Sequence, residues 1–348
     1  MDKIRVAIIG YGGIARIHYT AYRMLSEEGV GVKVVAICDK YVDKVREKTD
    51  INIGEDRTPL DDDVHLYADM DTLITEEEFD VADICLPSFM HADTSVKFLS
   101  AGKHVLCEKP MALSSYDSER MLKAEKESGK LLMIGHCLRF MPAYVYLRDC
   151  IRDGRYGKLE SISMNRHSVY PDWGADRWHD DKAKCGGCLI DTHIHDVDVA
   201  RFLLGEPDRV SAVTFENIPH YQHVNTRLHF GDVCAVIDGS WDDSYTKIFR
   251  ADYSARFAQA TVYFDFETVT VFKGKESFTP DIASKDSYAE QIRHFIKLVS
   301  MDGVAEEACA AEGSHKSMLL VEAIAESAER CGEYIDFKKY LNDKGEKI

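Results

Sequence analysis

The chain reads as a two-domain α/β protein, with a doubly wound parallel sheet first and a domain built on a mainly antiparallel sheet second. Three observations predict this. Short, continuous apolar runs rich in Val and Ile ("IRVAIIG", "VKVVAICD", "VADICLP", "KHVLCE") alternate with helical segments over the first third, as buried parallel strands do. Further on the pattern changes to a period of two in "LESISMNRHSV", "RVSAVTFENI", "VNTRLHFGDVCAVIDGSW" and "AQATVYFDFETVTVF", which is the mark of a sheet with one face covered. A length of 348 residues suits two domains. The boundary is expected after residue 136, giving domains 1–136 and 137–348.

In chain order, "YGGIARIHYTAYRMLSEEG" follows the first strand with helical spacing. Residues 40–66 read as a helix and then a polar loop, in which Asp61, Asp62 and Asp63 form a solvated acidic run without the glycine and downstream glutamate of a calcium loop. "SFMHADTSVKFLSAG" is a helix closing at Gly102, and "KLLMIGHCLRF" is the last strand of the first domain. "AYVYLRDCIRDG", "AEQIRHFIKLVS" and "GSHKSMLLVEAIAESAERCG" are helices, and the charged tail after Ile335 is expected to be loosely ordered.

Composition narrows the class. The chain is 45% hydrophobic and 30% charged, enough apolar surface for real cores. A net charge of −17 argues against general affinity for nucleic acid or anionic membranes, and no run approaches the ~20 apolar residues of a spanning helix. The opening residues lack the apolar run and cleavage site of a signal peptide. A soluble cytoplasmic protein is expected, with its ten cysteines as reduced thiols, several of them small hydrophobes within strands.

Between the first strand and helix lies Gly10-Tyr11-Gly12-Gly13-Ile14-Ala15, a G-x-G-x-x-A turn. The first glycine permits a tight turn, the second lets backbone approach a pyrophosphate, and Ala15 lets helix and strand pack closely. The helix N-terminus then faces the phosphates. The second strand ends in Asp39, an acid placed to accept hydrogen bonds from a ribose hydroxyl and to repel a 2′-phosphate. A Rossmann nucleotide site is expected, with NAD as cofactor rather than NADP. Lys40 is the neighbouring cation that would favour NADP.

Two stretches carry candidate chemistry. In "HVLCEKP", Lys109 ends a buried strand, and Pro110 keeps it out of helical geometry. That end of a strand is where open α/β sheets bind ligands; the alternative is an ordinary surface lysine. In "GGCLIDTHIHDVD" (residues 186–198), Ile190, Ile194, Val197 and Leu204 make a helical apolar stripe. At about 100° per residue, Asp191 and His195 stand roughly 40° apart with Asp198 nearby, while His193 is roughly 160° from His195. On such a helix His193 and His195 cannot grip one ion, and Cys185-x-x-Cys188 has no second pair at zinc spacing, so no metal site is expected.

With these motifs, "VAIIGYGGIA", "LPSFMHADTSVKFLSAGKHVLCEKPMA" and "GGCLIDTHIHDVD" make the chain resemble the glucose-fructose oxidoreductase / inositol dehydrogenase / rhizopine-catabolism (Gfo/Idh/MocA) family over nearly its whole length. The resemblance implies a Rossmann domain, a second α/β domain with a large open antiparallel sheet, and NAD-dependent oxidation or reduction of sugars or cyclic polyols. It implies Lys109, Asp191 and His195 as the catalytic and substrate-binding set. His195 would accept a hydroxyl proton, Lys109 would hydrogen-bond the same oxygen, and Asp191 would bind a neighbouring hydroxyl and keep Lys109 charged. Which of Lys109 and His195 is the base stays open. Cofactor contacts are expected from Gly10, Gly12, Gly13, Ile14, Asp39, Lys40, Pro87, His91, Glu108, Lys109 and Arg139. His91 and Glu108 would hold the cofactor loop, with helix capping the alternative for His91. Trp173 and Trp178 either stack on a sugar ring or pack in the protein. Two other classes remain: an NAD-dependent lyase or hydrolase with transient ring oxidation, and a non-catalytic NAD-binding regulator. A homodimer or homotetramer packed through the second domain is expected, because a monomer rarely exposes a large apolar patch.

Overall fold

The structure, a computed structural model, describes residues 3–47, 58–172, 174–217, 221–242, 249–301 and 310–346. They fall into two compact units, Met1–Cys137 with Lys285–His315, and Leu138–Ser284 with Lys316–Ile348.

In the first unit, strands β1 (Ile4–Ile9), β2 (Val32–Cys38), β3 (His65–Tyr67), β4 (Val81–Ile84), β5 (His104–Glu108) and β6 (Leu132–Gly135) alternate with helices α1 (Gly13–Glu27), α2 (Met70–Glu76), α3 (His91–Ser100) and α4 (Ser115–Ser128). All neighbouring strands pair in parallel, in the order β3-β2-β1-β4-β5-β6, the doubly wound order of a dinucleotide fold. Val6, Ala7, Ile8 and Ile9 are fully buried, which is why β1 reads as an unbroken apolar run. Register brings Ile9 beside Cys38 and Ile84, and Ile84 beside Cys107. The segments after β1, β2, β4 and β5 therefore leave the sheet at one edge.

Residues 40–47 hold a single 3-10 turn, Val42–Lys44, where the sequence predicts a helix; residues 48–57 lie outside the described set. The acidic run that follows is tied to basic neighbours. Asp61 pairs with Arg23, and Asp63 lies 2.6 Å from Lys33.

The second unit holds α5 (Pro142–Asp153), β7 (Leu159–Ser168), α6 (Lys182–Cys185), α7 (Ile194–Leu204), β8 (Arg209–Asn217), β9 (Tyr221–Phe230), β10 (Val233–Asp242), β11 (Arg250–Phe257), β12 (Thr261–Phe264), β13 (Val269–Lys273) and β14 (Glu276–Phe278). The chain continues through α8 (Ser287–Ser300), α9 (Ala311–Glu329), β15 (Ile335–Asp336) and α10 (Phe337–Asp343). Nine strands form one sheet in the order β14-β13-β12-β11-β7-β10-β9-β8-β15, antiparallel except for the parallel pair β7–β10. Ile162, Met164, Ala235, Ile237, Leu228, Tyr253 and Ala255 bury one face, and their alternates Ser163, Asn165 and Asp238 stay half-exposed on the other.

Two expectations change. Residues 285–315, expected in the second domain, belong to the first unit, where α8 packs along α1. The α8 face carrying Ala289, Ile292, Phe295 and Ile296 is buried. The tail after Ile335 is ordered rather than loose: β15 extends the sheet and α10 buries Phe337 and Leu341 completely.

Buried ion pairs position α7. Asp196 receives Nε and Nη2 of Arg166, on β7, at 2.7 and 3.2 Å. Asp198 receives Nε and Nη2 of Arg139 at 2.9 and 2.6 Å, and its Oδ1 also accepts from Ser317 Oγ at 2.7 Å. Breaking one partner of a pair so enclosed leaves a stranded charge. Asp198→Ala is expected to destabilise the second unit by about 3–5 kcal/mol, whereas Asp232→Ala, on an exposed pair with Lys158, leaves it unchanged. All three tryptophans lie in this unit, so urea unfolding followed by fluorescence reads the loss; equal midpoints for the two variants would remove Asp198 from this role.

Candidate functional site

The glycine turn is built as its sequence requires. Gly10 has φ of +84°, and a Cβ there would lie 2.9 Å from Leu86 Cδ2 and 3.0 Å from the Cys85 carbonyl oxygen. Both backbone angle and space demand glycine at this position. Gly12 is the N-cap of α1, no side chain caps the helix, and a Cβ on Gly12 would meet nothing within 4 Å. Gly13 and Ile14, the first residues of α1, are half-buried, and Ala15 is fully buried. An uncapped helix start beside open space fits the pyrophosphate of a dinucleotide.

Asp39 follows β2 and is half-buried. Its carboxylate accepts from the amides of Tyr11 at 2.8 Å and Tyr41 at 2.7 Å. The acid therefore braces the glycine turn, and each oxygen keeps a lone pair for a hydroxyl. Lys40 is exposed, with Nζ 4.6 Å from the centre of the Tyr41 ring.

At the ends of β4 and β5, His91 links two loops. Nδ1 lies 2.7 Å from the Pro110 carbonyl and Nε2 lies 2.8 Å from the Leu86 carbonyl. The ring is buried, and that burial pushes its pKa down. His91 thus ties the segment carrying Pro87 to the segment carrying Lys109, and its side chain does not cap α3. Glu108, the last residue of β5, is buried, and its Oε2 accepts from the amide of Lys109 at 3.2 Å. Lys109 is half-buried and precedes a cis proline.

In the second unit, residues 186–198 form a helix that opens with a π-helical turn, Leu189–His193, before α7. The regular helix expected there is therefore wrong for its first turn, where the π geometry takes more residues per turn. His193 points into the sheet, with Nε2 2.9 Å from Thr226 Oγ1. The ring sits so close to β10 that a Cβ on Gly239 would lie 2.6 Å from its Nδ1. Burial pushes His193 down to about 4, so the ring is neutral at physiological pH. Within residues 191–200, Asp191 and His195 alone are not buried. Asp198, expected near them, is instead enclosed by Arg139 and Ser317.

That same pair engages the Arg139 guanidinium, which the sequence reading directs at the cofactor. Trp178 is half-buried, 3.7 Å from the His179 ring between centres, and packs on the core of Tyr170, Cys185, Cys188 and Trp241. Trp173 lies outside the described residues. Cys185 and Cys188 are both buried, and burial pushes the Cys185 thiol up to about 11.

Among the described residues, His18, Asp83 and Cys85 bring potential ligand atoms within 4.8 Å of one another. His18 Nδ1 lies 2.9 Å from Asp83 Oδ2, the length of a hydrogen bond. Burial pushes the Cys85 thiol up to about 12, so it remains protonated. His18 and Asp83 went unnoticed in the sequence; the available signal was a histidine and an aspartate on otherwise apolar faces of α1 and β4.

Residues 4–136 match the family model described as "Oxidoreductase family, NAD-binding Rossmann fold", and residues 144–264 match the "GFO/IDH/MocA C-terminal domain". The chain is 29% identical over 224 residues to a 2,7-anhydro-N-acetylneuraminate hydratase of Mediterraneibacter gnavus, covering 63% of this chain and 54% of that protein. It is 30% identical over 215 residues to an inositol 2-dehydrogenase of Salmonella typhimurium, covering 61% and 58%. The matches thus span a little over half the length of these relatives. Among solved structures, a levoglucosan dehydrogenase in complex with NADH and L-sorbose superposes with a TM-score of 0.81 at 20% identity, covering 97% of this chain and 99% of that one. An aldose-aldose oxidoreductase from Caulobacter crescentus, complexed with glycerol, gives 0.79 at 23% identity, covering 96% and 99%. At such identities these neighbours establish the fold. Among the described residues no helix is long and apolar enough to cross a membrane. With both family models matched in order, on a parallel sheet of doubly wound order and a mostly antiparallel second sheet, the chain belongs to the Gfo/Idh/MocA oxidoreductase family, and its first unit is that family's NAD-binding Rossmann domain.

Proposed function

We propose that the protein is an NAD-dependent dehydrogenase acting on a hydroxyl-bearing carbon of a sugar or cyclic polyol. The observation that carries this is the sorting of residues 191–200, where the only two side chains left accessible are an acid and an imidazole. A helix needing polar residues merely for solvation would have no reason to reserve that pair. The names of the relatives, an inositol dehydrogenase and a levoglucosan dehydrogenase, support a ring polyol or sugar as substrate.

When bound, NAD supplies the hydride acceptor. The chain's own residues hold the substrate and manage its proton. His195 accepts the hydroxyl proton as general base. Lys109 donates a hydrogen bond to the same oxygen and stabilises the negative charge that develops there. Asp191 accepts a hydrogen bond from a neighbouring hydroxyl.

The second sheet's open face supports self-association. Val213, Phe215 and Phe272 lie opposite the buried alternates and are 38, 58 and 47% exposed. Val213 and Phe215, successive outward positions of β8, are apolar surface that a partner would cover. A homodimer or homotetramer formed through the second unit follows.

Four measurements test these statements. Incubation with NAD and a panel of inositols, hexoses and anhydrosugars is expected to form NADH stoichiometrically with one class. Lys109→Ala and His195→Ala should each lower kcat at least about a hundredfold. The double variant should be little worse than the poorer single one, because groups acting on one oxygen are not additive. Near-normal turnover in folded Lys109→Ala defeats the catalytic assignment, and product formation without net NADH points to a lyase or hydrolase. Steady-state kinetics should give a higher kcat/KM with NAD than with NADP, and Asp39→Ala should narrow the gap; a preference for NADP in the wild type removes Asp39 as the discriminator. Light scattering at micromolar concentration should return a multiple of the 39.4 kDa chain mass, and a monomer refutes the assembly.

A further inference from the structure

The interior of the first unit contains two carboxylates with one imidazole between them. Asp83 on β4 is fully buried, Glu108 at the end of β5 is 6% exposed, and His18 on α1 is fully buried. His18 Nδ1 lies 2.9 Å from Asp83 Oδ2, and its Nε2 lies 3.3 Å from Glu108 Oε1. An ionised carboxylate only accepts hydrogen bonds, so an imidazole with a single N–H can serve one of these oxygens and must present a lone pair to the other. The Nε2–Oε1 contact is an ion-pair distance without hydrogen-bond geometry, and a second ring proton supplies the positive charge that two buried acids require.

The other titratable groups facing the ring carry no charge of their own. Cys85, on β4, places Sγ 3.6 Å from Nδ1, and burial pushes its thiol up to about 12. Tyr22 on α1 and Tyr288 on α8, whose ring centre is 5.7 Å from that of His18, both have phenols pushed well up. Burial is the larger cause for Tyr22, and the neighbouring Cys137 is the larger cause for Tyr288. For His18 itself, burial is the largest single cause and pulls the pKa down; the interactions with Asp83 and Cys85 together outweigh it, and the net direction is well up.

Glu108 carries the effect outward. Its second oxygen, Oε2, accepts the amide N–H of Lys109 at 3.2 Å. Across the sheet it abuts Gly135 on β6, where a Cβ would collide with the carboxylate. The carboxylate thus has the His18 ring 3.3 Å from one oxygen and the Lys109 amide on the other.

We propose that His18 is a buried imidazolium that clamps Asp83 and Glu108 and, through Glu108, fixes the backbone that presents Lys109. It is a positioning residue. The proposal rests on the reading of Lys109 as a group that touches substrate.

Two readouts test it on the full-length protein. In the first, histidine side chains are labelled with ¹⁵N and the His18 signal is assigned by its absence in His18→Gln. Both ring nitrogens should remain protonated at pH 8; a neutral ring at that pH overturns the charge state and with it the clamp. This measurement needs no turnover, and if His18→Gln does not fold, Asp83→Asn provides the assignment by shifting the same signal. In the second, His18→Gln and Glu108→Gln should each lower kcat by about tenfold or more, since small displacements of a catalytic group cost up to about a hundredfold. In His18→Gln, KM for NAD should change less than about threefold, because a loss confined to kcat marks an interaction made only in the transition state. The His18→Gln/Glu108→Gln double variant should be no slower than the slower single variant. Unchanged kcat in folded His18→Gln, or losses that multiply, overturns the proposal. If Lys109→Ala keeps its turnover while the His18 ring stays doubly protonated, it is the reading of Lys109 that has failed.

Discussion

Two guanidiniums buried against α7 organise the second unit. Asp196 and Asp198 are two residues apart, about 200° around a helix, so they reach opposite sides of it. Arg166 on β7 takes one and Arg139 takes the other, with Ser317 of α9 closing on the same carboxylate. As a whole, a buried ion pair adds little net stability, but it is costly to break, and its geometry is narrow. Held from two sides, α7 cannot roll, and the sector that remains accessible is the one carrying Asp191 and His195. The close seat of His193 over Gly239 works in the same direction, because any side chain on β10 at that point would push the helix outward.

A stretch with three aspartates and two histidines therefore divides by burial rather than by type. One histidine is a neutral core residue bonded to Thr226, and two aspartates are counter-ions for arginines. The two side chains of residues 191–200 that are not buried are one acid and one imidazole. The same economy of exposed groups is visible in the first unit, where His91 is a brace between Leu86 and Pro110 and Asp39 steadies the glycine turn while keeping acceptor capacity.

In the first unit the governing constraint is chain direction. Parallel strands all end at the same edge of the sheet, so Gly10, Asp39, Pro87 and Lys109 come to that edge from four separate segments. The reversal of strand order between β1 and β4 opens the crevice in which folds of this kind bind ligands. Fold alone does not choose a substrate. The activities of the relatives, a 2,7-anhydro-N-acetylneuraminate hydratase and an inositol 2-dehydrogenase among them, differ accordingly.

What the sequence by itself determined is what short-range physics controls. The unbroken apolar runs marked strands buried on both faces, the period-two alternation marked a half-covered sheet, and the glycine turn was readable because its steric demands fall within six residues. The Lys109–Pro110 strand end was legible for the same reason, whereas the π-helical turn that carries Asp191 was not. Tertiary structure alone decided the rest. The return of residues 285–315 to the first unit depends on the buried face of α8 finding α1, nearly the whole chain away. The pairing of β7 with β10 in parallel, the anchoring of α10 by Phe337 and Leu341, and the enclosure of Arg139 by Asp198 are contacts between distant segments. So is the meeting of His18, Asp83 and Glu108, from three different elements. Periodicity records which face of an element is buried, and it carries no record of which distant partner buries it.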